Sequence, residues 1–259
     1  MMRGSLIVCV LFLAALGGCG GTSLEGQQSL VAANAAYAKG DDAAVVDASN
    51  RFLHSDAASS QAAEAYYLRG LAQARRGQTD PARADFGETL RLARRKDLKG
   101  LVHGELGKLD FDSGRMKDAE SHYRQMLEVI PADAPQAEGA MYRLGCALQY
   151  LGQWSQADVY FDKVIHNFDG RDLSRLAVNR VRAVRWSIQA GAYENELAGK
   201  RMAESLRTLG LEVRFDGGLR DGRMMRLLRV GSYPTFDAAK ADLDRVRKYV
   251  ADAFITPAR

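Results

Sequence analysis

Over residues 184–190, Val184, Trp186, Ile188 and Ala190 alternate with Arg185, Ser187 and Gln189. A period of two predicts a strand with one apolar and one polar face. The strand runs into Gly191-Ala192-Tyr193. Ala198, Met202, Leu206 and Leu209 follow at spacings of 4, 4 and 3, the stripe of an amphipathic helix that Gly210 ends. Leu211, Val213 and Phe215 alternate again, and Asp216-Gly217-Gly218 reads as a turn. The pattern then returns, with a strand over 224–230, a helix carrying Ala239, Leu243, Val246 and Val250, and a short strand over 253–256. Gly191 and Gly231 lie 40 residues apart, as do Tyr193 and Tyr233. The order is β-α-β-β-α-β, which predicts a four-stranded antiparallel sheet with both helices on one face and the other face open.

Upstream the periodicity is helical and repeats on a larger scale. Gly40, Gly77, Gly114 and Gly152 are spaced by 37, 37 and 38 residues, and each separates two helix-like runs. Around Gly77 stand Gly70, Ala82 and Phe86; around Gly114, Gly107, Ala119, Tyr123 and Pro131; around Gly152, Gly145, Ala157 and Phe161. The first unit is degenerate: Ala33 fits, but Val45 and Ser49 take the places of the small and aromatic residues. Small residues let paired helices approach, and the aromatic fills the gap to the next pair. These positions resemble the tetratricopeptide repeat. Asp80-Pro81 fits a helix start, and the loops at 96–100 and 132–136 account for a period above 34. Such solenoids bind peptides or proteins on the face of each first helix. The residues expected there are Tyr67, Leu71, Arg75, Lys108, Phe111, Tyr142 and Tyr150. A short basic helix is expected over 171–182, leading into the first strand without a flexible linker.

The N-terminus has the pattern of an export signal. Arg3 precedes an apolar run of 11 residues over 6–16, too short to span a bilayer and suited to a signal-peptide core. Leu16-Gly17-Gly18-Cys19 follows at once and resembles the bacterial lipobox, which implies that Cys19 is lipidated. Gly20, rather than Asp, follows the cysteine, which favours the outer membrane, facing the periplasm. With Cys9 in the signal and Cys19 acylated, Cys146 stands alone and is expected to be a buried, inert thiol.

The chain thus divides into a lipoprotein-type signal peptide (1–18), a linker (19–28), helical repeats (29–171), a connecting helix (172–182) and a sheet domain (183–259), an α+β protein of two domains. Composition is that of an ordinary globular protein, with 47% hydrophobic and 26% charged residues. The net charge of +4 matters for where it sits: from residue 183 onward, 14 Lys+Arg stand against 10 Asp+Glu, which is +4 in this domain alone. A mildly basic module suits an anionic or polymeric partner and lacks the sharp basic stripe of a nucleic-acid binder.

Ser187–Tyr193 (SIQAGAY) and Leu227–Tyr233 (LLRVGSY), each followed by an amphipathic helix and a strand, resemble the SPOR (sporulation-related repeat) domain. The resemblance implies a ferredoxin-like α/β sandwich that binds peptidoglycan, with preference for glycan strands stripped of stem peptides, such as are enriched at the division septum. Gln189 falls on the family's glutamine position, Met225 where relatives often place an aromatic, and Ala192 where a serine is frequent. The polar row on the open face is expected to present Arg185, Ser187, Gln189, Met225, Leu227 and Arg229 to the glycan. Gln189 both donates and accepts, as sugar hydroxyls and N-acetyl groups require, and Met225 offers a soft stacking surface.

No catalytic constellation is found. His54, His103, His122 and His166 are scattered among different repeats, and there is no metal-spaced cluster, nucleophile elbow or phosphate loop. Glycan cleavage needs two placed carboxylates, and only Glu212 stands near the expected face. The reading is therefore a non-enzymatic protein without cofactor or metal. It is a lipid-anchored envelope adaptor that holds peptidoglycan through its C-terminal domain and recruits a protein through its repeats, in cell division or wall remodelling. A second reading makes the repeats primary, as a scaffold in outer-membrane assembly or secretion. A third, RNA recognition through the same strand order, needs aromatics on the central strands, where this chain has Ser187, Gln189, Met225 and Leu227.

Overall fold

The computed structural model describes residues 21–220 and 222–259. The expected signal peptide and the lipidation residue Cys19 lie outside them. The described residues form two compact units, 21–109 with Glu128–Ile130, and Asp110–Leu127 with Pro131–Arg259.

The first unit contains α1 (Leu24–Lys39), α2 (Asp42–Asp56), α3 (Ala62–Arg75), α4 (Thr79–Leu92) and most of α5 (Lys96–Asp112). The α1/α2 and α3/α4 pairs turn at Gly40 and Gly77, whose φ values of 76° and 74° are left-handed and favour glycine. Ala82 and Phe86 are fully buried, and a Cβ on Gly70 would lie 2.8 Å from the Phe86 ring, so the small residue is what lets the aromatic in. In the degenerate first repeat Phe52, one helical turn beyond Ser49, fills the corresponding core. The expected loop at 96–100 is instead the first turn of α5, and only residues 93–95 are irregular. Gly100 allows Val129 and Ile130 to pack on that turn, since a Cβ there would lie 2.4 Å from Val129 Cγ2.

The second unit contains α6 (Met116–Leu127), α7 (Pro135–Tyr150), α8 (Trp154–Asn167) and α9 (Asp172–Val178), then β1 (Arg185–Tyr193), α10 (Glu196–Arg207), β2 (Val213–Arg220), β3 (Arg223–Tyr233), α11 (Phe236–Arg247) and β4 (Phe254–Ala258). Gly145 repeats the close approach of Gly70, here against Phe161. Cys146 is buried on α7, and burial pushes its thiol pKa up.

The antiparallel sheet has the order β2-β3-β1-β4. Ile188, Ala190, Leu228 and Val230 point to one face and form a core with Ala203 and Leu206 of α10 and Leu243 and Val246 of α11. The two halves repeat in detail. Asn195 and Thr235 cap α10 and α11 by accepting from the backbone N–H three residues on. Of the expected stripe of α10, Leu206 is fully buried and Met202 and Leu209 pack partly buried against the core, while Gly199 and Ala203 widen the buried face, Gly199 admitting the rings of Phe215 and Tyr193. Asp216-Gly217-Gly218 is no turn: β2 runs through it, pairing with Met225, Arg226 and Leu227. A Cβ on Gly218 would lie 2.4 Å from Leu227 Cδ1, so this glycine clears space on the sheet.

Candidate functional site

The face of the sheet away from α10 and α11 carries the candidate site. Register lines up four side chains straight across the four strands. Arg214 on β2 pairs with Arg229 on β3, Arg229 with Gln189 on β1, and Gln189 with Phe254 on β4. Paired residues share a face, and each of the four is flanked by residues of the helix-side core, so all four lie on the open side. A second row holds Asp216, Leu227 and Ala192, and a third Gly218 and Met225. The row therefore offers two guanidiniums, an amide and an aromatic ring, beside one carboxylate.

Phe254 is 49% exposed and Gln189 half-buried. Arg229 is sunk deeper, its side chain 13% exposed. Burial lowers its pKa, the Asp216 carboxylate opposes that, and the neighbouring Arg214 charge adds to it. Asp216 accepts from Arg214 Nε at 3.3 Å and lies 3.7 Å from Arg229 Nε. Arg185 is half-buried and donates from Nη2 to the Arg259 carbonyl at 2.7 Å, which ties it to the chain end. Met225 is half-buried at the third row.

Two members of the expected row are not exposed. Ser187 is fully buried: beside a bulge in β3 and opposite Thr256, its hydroxyl donates to the Val230 carbonyl at 3.3 Å. Leu227 is 9% exposed because its side chain lies over Gly218. The Gly-x-Tyr motifs are structural. Gly231 has φ 70°, and a Cβ there would lie 2.2 Å from the Tyr233 ring, which folds back over it. Tyr233 donates to Asp242 at 2.9 Å, and burial together with that bond raises its pKa.

The repeat residues fare unevenly. Tyr67, Leu71, Arg75 and Lys108 belong to the first unit, and Phe111, Tyr142 and Tyr150 to the second. Lys108 is exposed and Phe111 half-buried. Tyr67 packs on Phe86 at 6.2 Å, and burial drives its hydroxyl pKa well up. Leu71 is core. Arg75 lies 4.2 Å over the Tyr37 ring and pairs with Asp42. Tyr142 meets Phe161 edge-on at 5.9 Å. Tyr150 is not on a free binding face: its ring packs on Phe236 at 4.9 Å and its hydroxyl donates to Asp237 at 3.1 Å, so the end of α7 is occupied by the start of α11.

Arg214, Asp216 and Phe254 were not among the residues expected from sequence. The signal was present for Arg214 and Phe254, which sit between inward-facing residues of recognisable strands, and was absent for Asp216, which the glycine pair after it made look like a turn. What sequence could not supply was the order of the strands, which decides that these positions stand beside Gln189 and Arg229.

The architecture is thus a helical-repeat region followed by a four-stranded antiparallel sheet backed by two helices. Family comparison bears this out. Residues 183–256 match the SPOR domain, and residues 64–92 and 139–170 match the tetratricopeptide repeat. SPOR domains bind peptidoglycan and tetratricopeptide repeats mediate protein interactions; both bind or scaffold rather than catalyse. Among solved structures, a tetratricopeptide repeat protein from Parabacteroides merdae is similar with a TM-score of 0.51 and 16% identity, over 61% of this chain and 59% of that one. The apo form of the quorum sensor NprR from B. thuringiensis is similar with a TM-score of 0.50 and 16% identity, over 58% of this chain and 46% of that one. The chain thus spans less than two thirds of either structure, and both likenesses show the repeat fold alone. Comparison with curated proteins gives no match. Among the described residues, no helix is long and apolar enough to cross a membrane.

Proposed function

We propose that this protein is a lipid-anchored envelope adaptor. Cys19 carries the lipid that holds it to the outer membrane on the periplasmic side. The open sheet face binds peptidoglycan glycan strands freed of stem peptides. The repeats recruit a protein partner in cell division or wall remodelling. The observation that carries the glycan part is the row Arg214–Arg229–Gln189–Phe254 within the SPOR match. A linear polysaccharide presents hydroxyls, N-acetyl groups and flat sugar faces in succession. An amide that donates and accepts and an exposed ring match the two kinds of surface.

The test is co-sedimentation of the whole chain with purified sacculi, before and after amidase removal of stem peptides, with Gln189→Ala beside it. The whole chain is used because Trp186 of the sheet domain is buried against Trp154 of α8, and a fragment starting at residue 182 would expose it. Stronger pelleting on stripped sacculi, weakened by Gln189→Ala, is expected. Absence of pelleting on both would overturn the glycan reading.

A further inference from the structure

Arg214 and Arg229 stand side by side on the open face. Between them, Arg214 Nη2, Arg229 Nε and Arg229 Nη1 are buried and have no hydrogen-bond partner. Asp216 is the acid beside them. It engages Arg214 Nε at 3.3 and 3.4 Å, and its 3.7 Å separation from Arg229 Nε exceeds hydrogen-bond reach. One carboxylate therefore serves two guanidiniums. Buried donors are nearly always paired, and an unpaired charged donor is costly. Three of them at one point on an otherwise open face is an arrangement that lacks an acceptor. The side chains of Arg214 and Arg229 remain 25% and 13% exposed, so rotamer shifts bring the free nitrogens to a ligand without moving the strands.

The acceptor that suits a guanidinium fork is a planar pair of oxygens, a carboxylate. Its setting suits a sugar acid, because Gln189 and Phe254 continue the same row. Three steps between strands make that row roughly 14 Å long, which fits a chain rather than a small ion. In peptidoglycan each stem peptide is joined by an amide to the lactyl carboxyl of its sugar. Removing the peptide leaves that carboxyl free and ionised, so at the lactyl position the stripped strand carries a carboxylate on the sugar itself where the intact strand carries a neutral amide.

We infer that Arg229 and Arg214 form a carboxylate-reading subsite, and that the free lactyl carboxylate is what marks a stripped strand at this face. The inference rests on the glycan-binding reading above and adds the charge on which selection depends.

The experiment measures binding of the whole chain to soluble peptide-free glycan strands in two forms, one with free carboxylates and one with the carboxylates capped as neutral methylamides. The free-acid form is expected to bind more tightly by about 10- to 100-fold, as a charge-assisted pair requires. Arg229→Gln and Arg214→Gln should each reduce that ratio, weakening binding of the free-acid form more than binding of the methylamide form. Arg214→Gln alters the more exposed side chain, and the two-probe comparison on the unaltered chain needs no variant. Equal binding of both forms would overturn the carboxylate subsite and leave glycan binding standing. Binding of neither form would overturn the glycan reading itself.

Discussion

The rings of Trp154 on α8 and Trp186 on β1 meet at 5.4 Å with an interplanar angle of 58°. Trp186 is 4% exposed and also meets Phe236 edge-on at 5.1 Å, and Phe236 in turn meets Tyr150. Gln149, fully buried on α7, adds a polar clasp: its amide donates to the Arg180 carbonyl and accepts from the Arg180 guanidinium, both at 3.0 Å. The last repeat and the sheet domain are therefore joined by a core of their own. Trp154→Ala should cost about 1–3 kcal/mol, since a half-buried aromatic and its ring partner are both lost. Its signature in thermal unfolding should be the separation of one transition into two. Because the chain has two tryptophans, Trp154→Phe leaves Trp186 alone, and its emission should be blue-shifted and shielded from quenchers.

Two glycines of the sheet should respond in opposite ways. Gly231→Ala forces a side chain onto a left-handed backbone and into the Tyr233 ring. It should cost more than about 2 kcal/mol in denaturant unfolding, the sum of backbone strain and overpacking. A Cβ on Gly217 would meet Met224 Cε at an ordinary 3.7 Å. Gly217→Ala should change stability by less than about 0.5 kcal/mol.

Ser187→Ala separates burial from binding. Its hydroxyl makes a long internal bond to Val230, so its loss should cost about 1 kcal/mol or less. Sacculus binding should stay as it was. Reduced binding by a variant of unchanged stability would show that Ser187 reaches the ligand after all.

The start of the first unit should be acid-sensitive. Asp56 accepts from the Ser23 backbone N–H at 2.7 Å, from the Ser55 hydroxyl at 2.6 Å and from the Ser23 hydroxyl at 2.7 Å, which together lower its pKa. A carboxyl whose folded pKa lies below its unfolded value stabilises the fold above the unfolded value, about 3.9. That contribution is lost as pH falls through the lower folded pKa. Unfolding midpoints measured from pH 6 downward should fall over that window, and Asp56→Asn should flatten the slope. An unchanged slope in the variant would assign the acid sensitivity elsewhere.

Much of this was legible in the chain. The glycine period and the small and aromatic positions locate the helix pairs because their packing is local: Gly70 meets Phe86 sixteen residues on, and Gly145 meets Phe161 at the same distance. Strand alternation likewise told the inner face from the outer. It failed at Asp216-Gly217-Gly218, where glycine clears space for Leu227 instead of turning the chain. It also failed at Ser187, since alternation gives a side chain's face but not what stands beside it.

Local pattern alone determined the modules, their order and the outward placing of Gln189 and Arg229, because these depend on periods of two and 3.6 residues and on turn chemistry. The tertiary structure decided which outward residues are neighbours. Arg214 joins Arg229, and Phe254 joins Gln189, only because the strands order as β2-β3-β1-β4 in one register. Tyr150 became a joint rather than a binding residue because α11 begins against the end of α7. Strand order and helix docking are set by contacts far apart in sequence, and no local period encodes them.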